Sequence, residues 1–147
     1  MTSFAPAVRR FRAFYAVALM LASFAPAIAK AADFPFGQQL MLDVAPMGKV
    51  RRVPSVTVAA DGTAQINLWC KTAAAQVSVN DTAMQIVPAP LPDALPQYMS
   101  DGQCSPERMA ADLDLLAVLS QVTGWQKAGG VVTLEGPSAL RFRPSDH

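Results

Sequence analysis

The chain has 147 residues, a formal net charge of +1, two cysteines and one histidine, His147, at its last position. That length fits a single domain, and the near-neutral charge carries no nucleic-acid signature. A lone histidine in a chain end expected to fray gives no oriented base, so histidine-dependent hydrolase chemistry is without support.

Arg9, Arg10 and Arg12 precede an apolar run over residues 13–24 that only Ser23 interrupts. This is the order of a secretory signal. Twelve helical residues reach about 18 Å, short of the roughly 30 Å hydrocarbon core, and Pro26 interrupts the run where a membrane span would have to continue. Small residues give two cleavage frames, Ala27-Ile28-Ala29 and Ala29-Lys30-Ala31, and cleavage after Ala31 is expected. Residues 1–31 are thus read as signal peptide and 32–147 as the mature domain, periplasmic or secreted, with no transmembrane span. Cleavage removes Arg9, Arg10, Arg12 and Lys30; 12 basic residues less four leaves eight, against 11 acids, a net charge of −3. The partner of such a domain is not expected to be nucleic acid.

Short alternating segments follow. Val56, Thr57 and Val58 lead to Asp61-Gly62, and then Ala64, Ile66, Leu68 and Cys70 share one face of a strand. Asp-Gly suits the tight turn of a hairpin. Residues 76–79 and 82–87 form a second hairpin around Asn80-Asp81, and residues 131–134 and 139–143 a third around Gly136-Pro137, with Leu140 and Phe142 inward and Arg141 and Arg143 outward. Residues 88–96 hold four prolines and read as an ordered surface crossing anchored by Leu91, Leu95 and Tyr98. A helix is expected over residues 106–123: Ser105 caps it, Pro106 opens it, Glu107 faces its positive end and Gly124 ends it. Met109, Leu113 and Leu116, with Leu115, Leu119 and Val122, make a wide apolar face that packs on the sheet.

A bridge between Cys70 and Cys104 is expected in an oxidising compartment, with two buried thiols as the alternative. Two thiols without a nearby histidine do not make a zinc site, and no cofactor motif is present. Asp112 and Asp114 lie two apart on the helix, so their side chains diverge, and both read as solvated charges. No catalytic residue is assigned. Lys49, Arg51 and Arg52 form the one basic cluster, suited to anionic lipid head groups or to a plain solvated turn. Trp69, opposite in parity to Leu68, is either an exposed binding residue or a cover on the far side of a barrel.

The segment Asp112-Leu113-Asp114-Leu115-Leu116-Ala117-Val118-Leu119-Ser120-Gln121-Val122-Thr123-Gly124-Trp125, followed by Gly130-Val131-Val132-Thr133-Leu134 and Leu140-Arg141-Phe142, resembles the C-terminal part of the META domain, the HslJ-like family of exported bacterial proteins. Cys70 and Cys104 stand like that family's two cysteines. Trp69-Cys70-Lys71 replaces its frequent Gly-Cys-Asn, and Asp101-Gly102-Gln103-Cys104 lacks its usual threonine and alanine. The strand pattern makes the chain α+β and mainly antiparallel β; the resemblance implies a small β-barrel or sandwich with one packed α-helix. It also implies a role in stress response, tolerance of certain antibiotics and envelope maintenance, without an established catalytic centre; with export, the absence of a catalytic set and a compact β fold, the expectation is a monomeric, non-enzymatic protein without cofactor that binds an envelope protein or the outer-membrane surface. Two other readings stand beside it. One is a carrier holding an apolar ligand against Met84, Ile86, Leu134 and Phe142; the other is an inhibitor presenting the proline-rich crossing to a periplasmic hydrolase.

Overall fold

Alternating strands joined by tight turns close on themselves. The computed structural model describes residues 31–49, 51–95 and 102–146. Residues 1–30 of the signal reading, Tyr98, Asp101 and His147 lie outside them. Among the described residues eight strands make an antiparallel barrel in sequence order: β1 (Gln39–Leu42), β2 (Ser55–Val58), β3 (Thr63–Asn67), β4 (Thr72–Asn80), β5 (Ala83–Pro88), β6 (Gly124–Ala128), β7 (Val131–Glu135) and β8 (Leu140–Pro144). β8 pairs back onto β1 and closes it. The helix α1 (Pro106–Ser120) is inserted between β5 and β6. Barrel, not sandwich, is therefore the architecture. No described helix is long and apolar enough to cross a membrane.

Turn chemistry sets the register. Gly62 sits at φ +88°, and a Cβ there would lie 2.7 Å from the Val77 carbonyl oxygen, so the β2–β3 turn needs glycine. Asp61 Oδ1 accepts from Thr63 N at 2.9 Å and Thr63 Oγ1 at 2.6 Å, a local clamp that holds its carboxyl below the usual carboxylate range. The β6–β7 hairpin turns on Gly129 and Gly130, both at positive φ, with Ala128 opposite Val131. This hairpin and β1 are absent from the sequence reading: QLML is too short to show a period, and the Gly-Gly signal stands beside a strand with only Gly124 and Trp125 buried.

The interior is filled by side chains. Trp125, Phe142, Ile66 and Val132 are each at most 2% exposed and belong to one core cluster. Phe34, upstream of β1, meets Trp125 edge-on at a centroid distance of 5.1 Å. Met84, Ile86, Leu134 and Phe142, the residues of the carrier reading, are members of the same packed cluster. A barrel of eight strands has an interior about wide enough for its own side chains.

The helix departs from its expected limits. It ends at Ser120 with Gln121 as C-cap, because Thr123 N turns to the Glu135 carbonyl at 2.8 Å and carries the chain into β6. Gly124 is thus a strand residue; a Cβ on it would meet the Thr82 oxygen at 3.0 Å. The N-terminal reading is matched: Ser105 accepts from Arg108 N at 3.3 Å, and Pro106 opens the helix. The buried stripe is Arg108, Asp112, Leu115 and Leu119, while Met109 and Leu113 are exposed. Leucine spacing alone fitted two faces. The buried carboxylate selects between them.

Residues 89–95 form the expected surface crossing in its described part. Leu91 and Leu95 are half-buried, and Lys71 Nζ donates to the carbonyls of Pro92 at 2.6 Å and Asp93 at 3.1 Å.

Candidate functional site: an arginine-lined pocket on the outer barrel face

Strand register places Arg143, Met41, Ser55, Asn67 and Thr72 directly opposite one another in turn, across β8, β1, β2, β3 and β4. Val56 and Val58 alternate inward, so Ser55 points outward. It is nevertheless only 2% exposed. The β1–β2 connection folds over it and makes a pocket of about 310 Å³ lined by Gln39, Met41, Arg51, Arg52, Val53, Ser55 and Asn67.

Hydrogen bonds run in one direction here. Thr72 Oγ1 and Gln65 Nε2 donate to Asn67 Oδ1 at 3.1 and 3.4 Å; Asn67 Nδ2 donates to Ser55 Oγ at 3.3 Å, and Gln39 Nε2 donates to the same oxygen at 3.0 Å. Both lone pairs of Ser55 Oγ are therefore occupied, and its own hydrogen is the group it has left to give. Arg52 Nε donates to the Leu68 carbonyl at 2.9 Å, which fixes that side chain against the end of β3. Arg51 is exposed at the rim.

Of the basic cluster read from sequence, Arg51 and Arg52 line the pocket and Lys49 stands exposed on the same connection, outside the lining. Trp69 does not join them. It is 6% exposed, so its reading as an exposed binding residue is corrected: the β3–β4 turn beneath α1 folds it into the protein. Ser55, Asn67 and Gln39 were missed, since an outward polar residue on a strand reads as solvated until a loop closes over it.

A second polar centre lies one turn of chain away. The β3–β4 turn presents the N–H groups of Trp69, Cys70 and Lys71 to the Asp112 carboxylate, with Cys70 N at 3.1 Å and Lys71 N at 2.9 Å from Oδ2. Asp112 is 1% exposed, which corrects its reading as a solvated charge. Burial pushes its carboxyl above the usual carboxylate range, while these N–H groups and the Arg52 charge act in the opposite sense. Cys70 is bridged to Cys104 with Cα atoms 5.7 Å apart, the expected disulfide. Arg108, one helical turn before Asp112, is 6% exposed; it donates through Nη1 to the Gln103 carbonyl, and its Nε and Nη2 have no partner among the described residues. No group of three or more His, Cys, Asp or Glu side chains converges among the described residues.

No protein-family model and no curated protein matches the chain. Its backbone is similar to an NMR structure of a protein from Burkholderia xenovorans, with a TM-score of 0.55 at 14% identity over 95% of this chain and 100% of that one. It is similar also to another NMR structure, with a TM-score of 0.50 at 11% identity over 73% of this chain and 88% of that one. At such identities the likeness shows the fold alone.

Proposed function

We propose that this is a non-enzymatic META-like domain of the bacterial envelope, exported to the periplasm, which supports envelope integrity or stress tolerance by binding through its outer barrel face. The observation that carries the reading is the pocket above Ser55, where oriented amides on the sheet face two arginines of the β1–β2 connection. Strands hold the Ser55, Asn67 and Gln39 groups accurately, and of the pockets on the described surface this is the one that two arginines line. The buried carboxylate supports a binding role over a catalytic one, because Asp112 spends its oxygens on the main chain of its own β3–β4 turn.

Deletion of the gene, followed by challenge with detergent or a bulky antibiotic, tests the reading. Sensitivity restored to wild-type resistance by the intact gene, and not by a copy carrying Arg51→Gln with Arg52→Gln, is the expected result. Wild-type resistance in the deletion strain overturns it.

A further inference from the structure

We infer that the pocket over Ser55 binds a phosphomonoester carried on a hydroxylated ring, a phosphosugar. This inference rests on the surface-binding reading and names its ligand class. The lining is rich in donors and short of acceptors. Ser55 Oγ already accepts from Gln39 and Asn67, and Asn67 Oδ1 already accepts from Thr72 and Gln65, so Gln39 Oε1 is the one amide or hydroxyl oxygen of the lining left to accept, suited to a ligand hydroxyl. Donors outnumber it: the Ser55 hydroxyl, the second N–H of each amide, and the Arg51 guanidinium. Hydrogen bonds that feed into Ser55 polarise its O–H and make it a stronger donor. No carboxylate lines the pocket. A ligand must therefore supply acceptors and negative charge.

Geometry separates phosphate from carboxylate. The Ser55 and amide donors rise from one face of the sheet and the Arg51 guanidinium comes from the connection above it, so an oxyanion is met from two sides, which suits a tetrahedral group better than a planar one. Size adds the ring. About 310 Å³ is more than a bare phosphate fills. Met41 and Val53 give the remaining space an apolar wall against which a sugar face packs. Asp43 is held by Arg143 at 3.1 Å, which turns that nearby acid toward a cation and away from repelling the ligand.

The test is an NMR titration of isotope-labelled protein, purified from cells expressing the full-length gene, with glucosamine 1-phosphate, glucosamine and inorganic phosphate. Saturable shifts at Ser55, Asn67 and Gln39 with the sugar phosphate, and weaker binding of the other two, are expected. Arg51→Gln should weaken binding about tenfold, the scale of one charge-assisted hydrogen bond, while Lys127→Gln on distant β6 leaves it within about twofold. Phosphatidylcholine vesicles carrying a phosphorylated glucosamine lipid form the second arm. Co-sedimentation with them that glucosamine 1-phosphate competes away identifies a lipid-borne ligand; binding of the soluble sugar phosphate without co-sedimentation identifies a soluble one, and either outcome supports the class. Equal binding of glucosamine, equal binding of inorganic phosphate, an Arg51→Gln variant of unchanged affinity, or no saturable shift in either arm overturns it. If these fail while the double arginine variant still fails to restore resistance, the ligand class is wrong and the surface-binding reading survives. Restoration of resistance by that variant sinks both.

Discussion

Asp112 holds the main chain of Cys70 at 3.1 Å while the sulfur of the same Cys70 holds Cys104, so the β3–β4 turn is fastened to the helix and to the segment before it by two different bonds. One is ionic and reversible with pH; the other is covalent. The carboxylate fills a nest of turn N–H groups that would otherwise be buried without partners.

Asp112→Ala should cost about 3 kcal/mol, the scale of leaving two or three buried donors unsatisfied at about 1–3 kcal/mol each. Asp112→Asn keeps one acceptor and should cost less. Urea titration measures both, as a lower midpoint at unchanged slope. A loss under about 0.5 kcal/mol for the alanine variant would show that water replaces the carboxylate at no cost.

The same group makes a pH prediction of unusual sign. Burial raises the folded pKa of Asp112 above its ordinary value of 3.8, so between those two values the folded chain binds more protons than the unfolded one. Its contribution therefore falls as pH rises through that window and is constant above it. The stability of the protein relative to Asp112→Asn should decline across that interval and then level off. Asp61 acts oppositely: its lowered pKa gives a contribution present above 3.8 that is lost as pH falls through the folded value, and Thr63→Val should reduce it by removing the hydroxyl bond while the backbone N–H bond stays. Denaturation midpoints measured from acid to neutral pH separate the two by slope.

Sequence legibility followed the range of the interactions. Gly62, the Ser105 cap and the Leu140–Phe142 alternation were readable because each acts through neighbours in the chain. Gln39–Leu42 was not, since its identity as a strand comes from pairing with β2 and β8. The end of α1 was misplaced for the same reason: a hydrogen bond to Glu135 decides it, and no local residue announces that bond. At the pocket, charge marked Arg51 and Arg52, but the burial of Ser55 depends on where the β1–β2 connection lies. Asp112 shows the limit most sharply. A helix-surface aspartate and a buried one have the same local sequence, and only the turn that meets it tells them apart.

Reduction of the disulfide tests the covalent half of the fastening. Cys70 and Cys104 are separated by 34 positions, and closing a loop of that size restricts the unfolded chain by about 4 kcal/mol in the chain-entropy account. Cys70→Ser with Cys104→Ser should lose a stability of that order in denaturant. Hydrogen exchange should locate the loosening in the β3–β4 turn and the first turn of α1, with the β6–β7–β8 hairpins still protected. Uniform loss of protection would show that the bridge supports the whole barrel instead.

Gly62→Ala adds strain of two kinds at one atom. The position lies at φ +88°, where a side chain costs about 1–2 kcal/mol, and its Cβ would stand 2.7 Å from the Val77 carbonyl oxygen, which is backbone and has little freedom to retreat. That carbonyl belongs to β4, whose Val77 N–H already donates to the Gly62 carbonyl at 2.8 Å, so relief of the clash stretches a hydrogen bond between β4 and the turn. A loss of about 2–3 kcal/mol is expected, against about 1–2 kcal/mol for Gly48→Ala, where φ is also positive at +68° but no atom lies within 4 Å, so that only the backbone strain is left. Thermal denaturation of the two variants gives the comparison directly. Equal losses would mean that backbone conformation alone sets the cost and that the close approach of the β4 main chain contributes nothing to the register of the barrel.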